Sequence, residues 1–149
     1  MLKTSERIDG IASSPIRKLA PLADSAKAKG VKVYHLNIGQ PDIRTPQVAL
    51  DALKHIDRTV LEYSPSQGFL SLREKIASYY AGYGMDYTPE QIMVTAGASE
   101  AVLFSFIACL DPGDEIITTD PTYANYIAFA EAAGVRVRTI LTGIEDRFA

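Results

Sequence analysis

The stretch Val94-Thr95-Ala96-Gly97-Ala98-Ser99-Glu100-Ala101 has the pattern of a strand that ends, a turn of small residues and a helix that begins. Backbone N–H groups in the first turn of a helix have no acceptor inside the helix, and the helix dipole favours negative charge there. Gly97 and Ala98 have little bulk, so an anion can approach the backbone closely, and Ser99 adds a hydroxyl donor. The pattern is compatible with a phosphate site at these residues, but on this stretch alone a simple helix cap by Ser99 is the favoured interpretation.

Helices and strands alternate on both sides of this stretch. Apolar residues at helical spacing predict helices over residues 19–30 (beginning near Pro21), 48–56, 72–83, 100–110 and 126–133. Apolar or alternating segments predict strands at 31–36, 92–95, 115–119 and 135–140. The helix at 100–110 is apolar nearly all round, which predicts that it is covered on both sides. This order of elements favours an α/β layered fold with a largely parallel sheet.

Composition narrows the class of protein. The 149 residues are 47% hydrophobic and 22% charged with a formal charge of −3, which is typical of a globular protein and argues against disorder. Ten Gly and one Cys exclude collagen-like and disulfide-framework proteins. No basic excess indicates a nucleic-acid partner. The first ten residues have no apolar leader, and the longest apolar stretch, 101–110, is shorter than the ~20 residues that span a bilayer, so we expect no membrane association and a cytoplasmic location.

Two tyrosines are further candidates for ligand contacts. Tyr123 follows the strand at 115–119 and the turn Asp120-Pro121-Thr122, at the carboxyl end of a strand where open α/β sheets bind ligands, and its ring could stack on a flat cofactor. Tyr63 lies in a Tyr63-x-x-x-x-Gly68 loop, and its hydroxyl could donate to a phosphate. Taken singly, each also fits an ordinary loop tyrosine that packs on its neighbours. The two histidines have no partners at metal or triad spacing, so no metal site is predicted.

The ordered combination of segments is more specific than any one of them. The chain resembles the N-terminal part of the fold-type I pyridoxal-phosphate aminotransferases, class I/II, the aspartate aminotransferase-like group. The resemblance rests on five segments in order: Leu36-Asn37-Ile38-Gly39-Gln40-Pro41-Asp42; Tyr63-x-x-x-x-Gly68 with Leu72-Arg73-x-x-Ile76-Ala77; Val94-Thr95-x-Gly97-Ala98-x-Glu100-Ala101; Leu110-x-Pro112-Gly113-Asp114; and Pro121-x-Tyr123.

The resemblance implies a partial pyridoxal-phosphate-dependent transferase fold. Residues 1–45 would form an N-terminal arm and the first segment of the small domain, and residues 46–149 the first part of a three-layer α/β/α large domain that binds the cofactor. It also implies a homodimer, in which a segment around residues 1–15 packs across the subunits.

The resemblance further implies a binding site for pyridoxal 5′-phosphate. The family's motifs assign cofactor binding to five positions: Gly97, Ala98 and Ser99 hold the phosphate, Tyr123 stacks on the pyridine ring, and Tyr63 reaches the phosphate of the neighbouring subunit's cofactor. Gly39 lines the carboxylate end of the substrate, and Tyr123 is a second substrate-binding position.

The catalytic residues are expected elsewhere. None of the seven lysines of the chain matches the motif of the family's Schiff-base lysine, so that residue is expected beyond residue 149 and the chain by itself is expected to be inactive. It is also expected to be weakly stable, with bare apolar faces on the helix at 101–110. The parent enzyme would transfer an amino group between an amino acid, with aspartate as one candidate, and a 2-oxo acid, a reaction of amino-acid metabolism and biosynthesis. Two alternatives stay open: a carbon–sulfur lyase of the same fold, and a non-catalytic module that binds the cofactor or dimerises.

Overall fold

The computed structural model describes residues 3–5, 11, 14, 16–145 and 147–148. Its helices are α1 (Ala20–Ala28), α2 (Gln47–Lys54), α3 (Leu70–Ala81), α4 (Ala98–Cys109) and α5 (Ala124–Ala133), with a 3₁₀ turn at Pro89–Gln91. Its strands are β1 (Glu115–Asp120) and β2 (Arg136–Leu141). The predicted arm across a dimer, residues 1–15, lies mostly outside the described residues.

The helices begin and end where the local chemistry predicts. Pro21 lies in the first turn of α1, where its missing N–H costs no helical bond, so the prediction that this helix begins near Pro21 is confirmed. Gly82 caps the end of α3. Gly134 ends α5 in the left-handed conformation (φ 80°), which glycine adopts at low cost.

The sheet of the described residues consists of two parallel strands. β1 pairs with β2 in a register that runs from Glu115 opposite Arg136 to Asp120 opposite Leu141, and α5 connects them. This β–α–β unit confirms the α/β class. The strands predicted at 31–36 and 92–95 are wrong: these residues form no ladder, because no neighbouring strand lies beside them in the described part of the chain.

The chain divides into two compact units. The first contains Met1–Ile38 and Ala96–Ala149, and so holds α1, α4, α5 and the sheet. The second contains Gly39–Thr95, with α2, α3 and the 3₁₀ turn. The units change between residues 38 and 39 and between residues 95 and 96, whereas the resemblance implies a domain boundary at residue 45. That domain boundary stays a prediction.

Few of the residues that the structure describes are buried. The buried apolar residues are Ala130 and Val135 in the first unit and Ala77 in the second. None of the helices in the described ranges is long and apolar enough to cross a membrane.

Many apolar side chains among the described residues are exposed. On α4 no residue is buried, and Phe104 and Ile107 are 46% and 61% exposed. The prediction that this helix is covered on both sides is therefore wrong for this chain, because α5 is the one element among the described residues that packs extensively against it. The expectation of bare apolar faces at 101–110 is confirmed.

Candidate functional site

The turn before α4 has a geometry that requires glycine. Gly97 is the N-cap of α4 with φ 99° and ψ 171°, a region that residues with a side chain rarely adopt. A Cβ built on Gly97 would have no atom within 4 Å, so the space on that side of the turn is open. The first helical bond runs from the Ala101 N–H to the Gly97 carbonyl at 3.3 Å, so the amides of residues 98–100 precede it. An open turn with leading amides suits an anion.

Ser99 does not cap the helix. It lies in the first turn rather than at the N-cap, it is exposed, and α4 has no side-chain capping bond. The carboxylate of Glu100 takes part of that role, because its Oε2 accepts a hydrogen bond from the Ala96 N–H at 2.6 Å and so fixes the turn. The sequence interpretation gave Glu100 no role. An acidic residue three positions after a small N-cap is the signal that could have shown it.

Tyr123 lies where β1 ends and α5 begins. It is the N-cap residue of α5, follows the carboxyl end of a parallel strand and is 49% exposed. Its hydroxyl accepts a hydrogen bond from Asn125 Nδ2 at 2.8 Å. Its ring meets that of Tyr126 edge-on, with centroids 5.5 Å apart and planes at 89°. These contacts hold the ring at both ends while leaving half of it accessible. The contribution of Asn125 was missed, since a polar residue two positions after a tyrosine carries no distinctive signal.

A cavity of about 760 Å³ in the first unit has Tyr123 in its wall. That volume is in the ordinary range for sites that bind small molecules. Most of the other lining residues lie between Ile16 and Ile38, including Leu19. Asn37 fixes part of this segment, because its Nδ2 donates to the Ile16 carbonyl at 3.0 Å. The predicted phosphate residues 97–99 do not line this cavity.

The other two predicted positions belong to the second unit. The Tyr63 side chain is fully exposed, and the loop of residues 63–68, called the 63–68 loop below, has no helical or strand structure. Gly39 is exposed, and a Cβ there would meet no atom within 4 Å. The structure thus places Gly97, Ala98, Ser99 and Tyr123 in one unit, and it leaves the roles of Tyr63 and Gly39 as predictions.

The 63–68 loop ends in close contact with Val94, which belongs to the same unit. The Val94 N–H donates to the Gln67 carbonyl at 3.0 Å, and a Cβ on Gly68 (φ 93°) would lie 2.7 Å from Val94 Cβ. Only glycine fits there without displacement of Val94.

Charged groups elsewhere in the described residues do not form a second site. Glu115 on β1 is paired with Arg138 and Arg136 on β2. The bidentate hydrogen bonds from the Arg138 guanidinium, at 2.6 and 3.0 Å, are the main cause that lowers the pKa of Glu115 below its ordinary value. Within the described ranges no group of three His, Cys, Asp or Glu side chains could hold a metal ion.

Comparisons with known proteins point to one family. The sequence profile of the family "Aminotransferase class I and II" matches residues 31–148. The chain is 36% identical over 143 residues to an aspartate aminotransferase from Thermotoga maritima, an alignment that covers 93% of this chain and 38% of the relative. It is 34% identical over 134 residues to a (5-formylfuran-3-yl)methyl phosphate transaminase from Methanocaldococcus jannaschii, covering 89% of this chain and 36% of the relative.

A solved structure shares the fold. The alanine aminotransferase from Pyrococcus furiosus superposes with a TM-score of 0.90 at 32% identity, over 98% of this chain and 38% of that one. The chain thus spans a little over a third of the length of the relatives it matches. Since the family profile matches most of its length, the chain belongs to the class I and II aminotransferases, which are pyridoxal-phosphate enzymes of fold type I.

Proposed function

We propose that this chain is the N-terminal portion of a pyridoxal-phosphate-dependent aminotransferase that exchanges an amino group between an amino acid and a 2-oxo acid. The observation that carries the proposal is the turn at Gly97–Ser99, which is open, led by backbone amides and followed by an exposed serine hydroxyl. The named relatives act on different substrates but are all aminotransferases. That agreement favours amino-group transfer over the lyase alternative and leaves the amino acid open.

The residues present fit the cofactor. A phosphate dianion needs several donors and no opposing bulk, which residues 97–99 provide. A flat ring needs a flat partner, and the half-exposed face of Tyr123 provides it in the same unit. When bound, pyridoxal 5′-phosphate supplies an electron sink that no protein side chain can replace.

Each residue then has a binding or orienting role. Residues 97–99 would hold the phosphate, and Tyr123, whose hydroxyl accepts a hydrogen bond from the Asn125 amide, would stack on the ring. Tyr63 donates its hydroxyl to the phosphate of the neighbouring subunit's cofactor in a homodimer, which its full exposure permits. Gly39 lines the carboxylate end of the substrate, and Tyr123 borders it. Residues 1–45 belong to an arm and small domain and residues 46–149 to the large domain, and the enzyme is cytoplasmic.

The proposal is tested on the full-length protein. Purified enzyme with pyridoxal 5′-phosphate is given aspartate, alanine or glutamate together with a 2-oxo acid, and both the new amino acid and the new 2-oxo acid are quantified. Equal amounts of the two products are expected. Release of ammonia and pyruvate from a sulfur-containing amino acid without formation of a new amino acid would instead establish the lyase. Lack of cofactor binding altogether would refute both.

The chain of residues 1–149 provides a second test. None of its lysines matches the position that binds the cofactor aldehyde, so it is expected to show no amino-group transfer above that of free pyridoxal 5′-phosphate. Turnover by a preparation freed of host aminotransferases would contradict this assignment.

A further inference from the structure

Arg73 is the only charged side chain that is buried in the part of the chain that the structure describes. It lies on α3, is 9% exposed and forms no ion pair with the described carboxylates. A buried guanidinium without a carboxylate partner is costly unless its donors are satisfied. No role proposed so far uses it.

Two backbone carbonyls accept hydrogen bonds from Arg73. Its Nε donates to the Gly68 carbonyl at 3.1 Å, and its Nη1 donates to the Pro89 carbonyl at 2.6 Å. Gly68 is the last residue of the 63–68 loop, and Pro89 begins the 3₁₀ turn that leads to Val94. One side chain therefore ties the end of the 63–68 loop to the start of the 3₁₀ turn, both within the second unit.

The same end of the loop is held against Val94. The Gln67 carbonyl accepts the Val94 N–H, and the missing Cβ of Gly68 allows direct contact with Val94. Within the loop, the Gly68 N–H donates to the Pro65 carbonyl at 2.8 Å, which tightens the turn just after Tyr63. Val94 is followed three residues later by Gly97. Any shift of Gly68 is thus transmitted both to Pro65 and to Val94.

We propose that Arg73 is a positioning residue that locks the end of the 63–68 loop onto Val94 and thereby fixes the position from which Tyr63 reaches the phosphate of the neighbouring subunit's cofactor. The inference rests on the proposed function for the role of Tyr63, whereas the lock itself rests on the contacts alone. An arginine suits this task because its rigid, planar fork donates in two directions at once, and a lysine ammonium on a flexible stem does not reproduce that geometry.

The variants compared are Arg73→Lys, which keeps the charge and removes the fork, and Arg73→Met. The matched control is Lys75→Met, an exposed cation on the same helix. Met, Lys and Arg have similar helix propensities, so the control accounts for the loss of a charge on α3. Gly68→Ala displaces the same loop by another route, since the new Cβ would collide with Val94.

The lock is measured first, by amide hydrogen exchange of the cofactor-free full-length protein. In Arg73→Lys we expect faster exchange at the Gly68 and Val94 amides and unchanged exchange at the amides of α5. In the Lys75→Met control we expect no change at either place. Unchanged exchange at Gly68 and Val94 would overturn the lock. This readout does not depend on the proposed activity.

The link to the phosphate is measured by comparing two ligands, pyridoxal 5′-phosphate and pyridoxal, which lacks the phosphate. Arg73→Lys and Gly68→Ala should weaken binding of the phosphate ester by about tenfold or more, the usual effect of losing a hydrogen bond to a charged group, and should leave pyridoxal binding within about twofold. A merely structural role would weaken both ligands equally, and that result would overturn the positioning role.

A double-mutant cycle with Tyr63→Phe completes the test. If Arg73 acts through Tyr63, the effect of Tyr63→Phe on phosphate-ester affinity should nearly disappear in the Arg73→Lys background. Additive effects would overturn the inference. If the unmutated protein binds neither ligand, the proposed function fails, whereas the exchange experiment still decides whether Arg73 locks the loop. If Arg73→Met does not fold, Arg73→Lys and Gly68→Ala still carry the comparison.

Discussion

Replacing Ser99 by alanine in the full-length protein should weaken cofactor binding without weakening α4. The Ser99 hydroxyl is exposed and makes no capping bond, so its removal breaks no contact within the helix. Alanine is the better helix former by about 0.5 kcal/mol, so the melting temperature of the cofactor-free protein should stay constant or rise slightly. A hydrogen bond to a charged group contributes about 1.5–3 kcal/mol, so affinity for pyridoxal 5′-phosphate should fall by about tenfold to a hundredfold.

The same helix offers a matched control. Ser105 also lies on α4, and its hydroxyl donates to the Ala101 carbonyl at 2.8 Å instead of facing the turn at Gly97. Ser105→Ala should therefore leave cofactor affinity unchanged. Equilibrium titration of both variants with pyridoxal 5′-phosphate and with pyridoxal, together with melting curves of the cofactor-free proteins, separates phosphate binding from helix stability.

Two results would refute the reasoning about Ser99. Unchanged affinity for pyridoxal 5′-phosphate would mean that the hydroxyl does not contact the phosphate. A lower melting temperature of cofactor-free Ser99→Ala, with equal losses for both ligands, would restore the interpretation of Ser99 as a helix cap, whose removal typically costs about 0.5–2 kcal/mol.

Three further outcomes are expected. Tyr123→Phe keeps the stacking face and should retain most of the cofactor affinity. Tyr63→Phe should lower cofactor affinity and weaken the gain in dimer stability on cofactor binding, as measured by titrations at two protein concentrations. A larger loss of affinity in Tyr123→Phe than in Tyr63→Phe would show that the two roles are exchanged. Arg138 lowers the pKa of Glu115, so the pair stabilises the fold at pH values above the ordinary value of 4.5 and loses this effect as the pH falls through the lowered pKa. In urea unfolding, Arg138→Gln should therefore be slightly less stable than wild type at neutral pH and equally stable once Glu115 is protonated. A difference in stability that does not change with pH would contradict this. The exposed Cys109 of residues 1–149 should react rapidly with a thiol reagent and be protected in the full-length enzyme, and equal rates would show that nothing further covers α4.

Local chemistry determined most of the elements. Proline at the first turn of α1, glycine after α3 and α5, and apolar spacing between them are short-range signals, so the helices were predicted to within a few residues. The strands at 115–119 and 135–140 were predicted equally well, because each is an apolar or alternating segment bounded by turns. Strand pairing is a long-range property, and for that reason the apolar segment at 92–95 was predicted as a strand although nothing pairs with it in the described chain.

In the candidate site, too, some features follow from the sequence and others only from the structure. The sequence by itself determined where the turn at residues 97–99 and Tyr123 lie along the chain, since small residues before a helix and an aromatic residue after a strand are visible in the order of residues. The structure shows two local contacts, in which Glu100 rather than Ser99 fixes the turn and Asn125 holds Tyr123; the spacing of Glu100 from the N-cap carries a sequence signal, whereas that of Asn125 does not. Only the tertiary structure decided that Arg73 is buried with two carbonyls as its partners. The physical reason is that a hydrogen bond depends on distance and direction in space, which residue types and spacing do not specify.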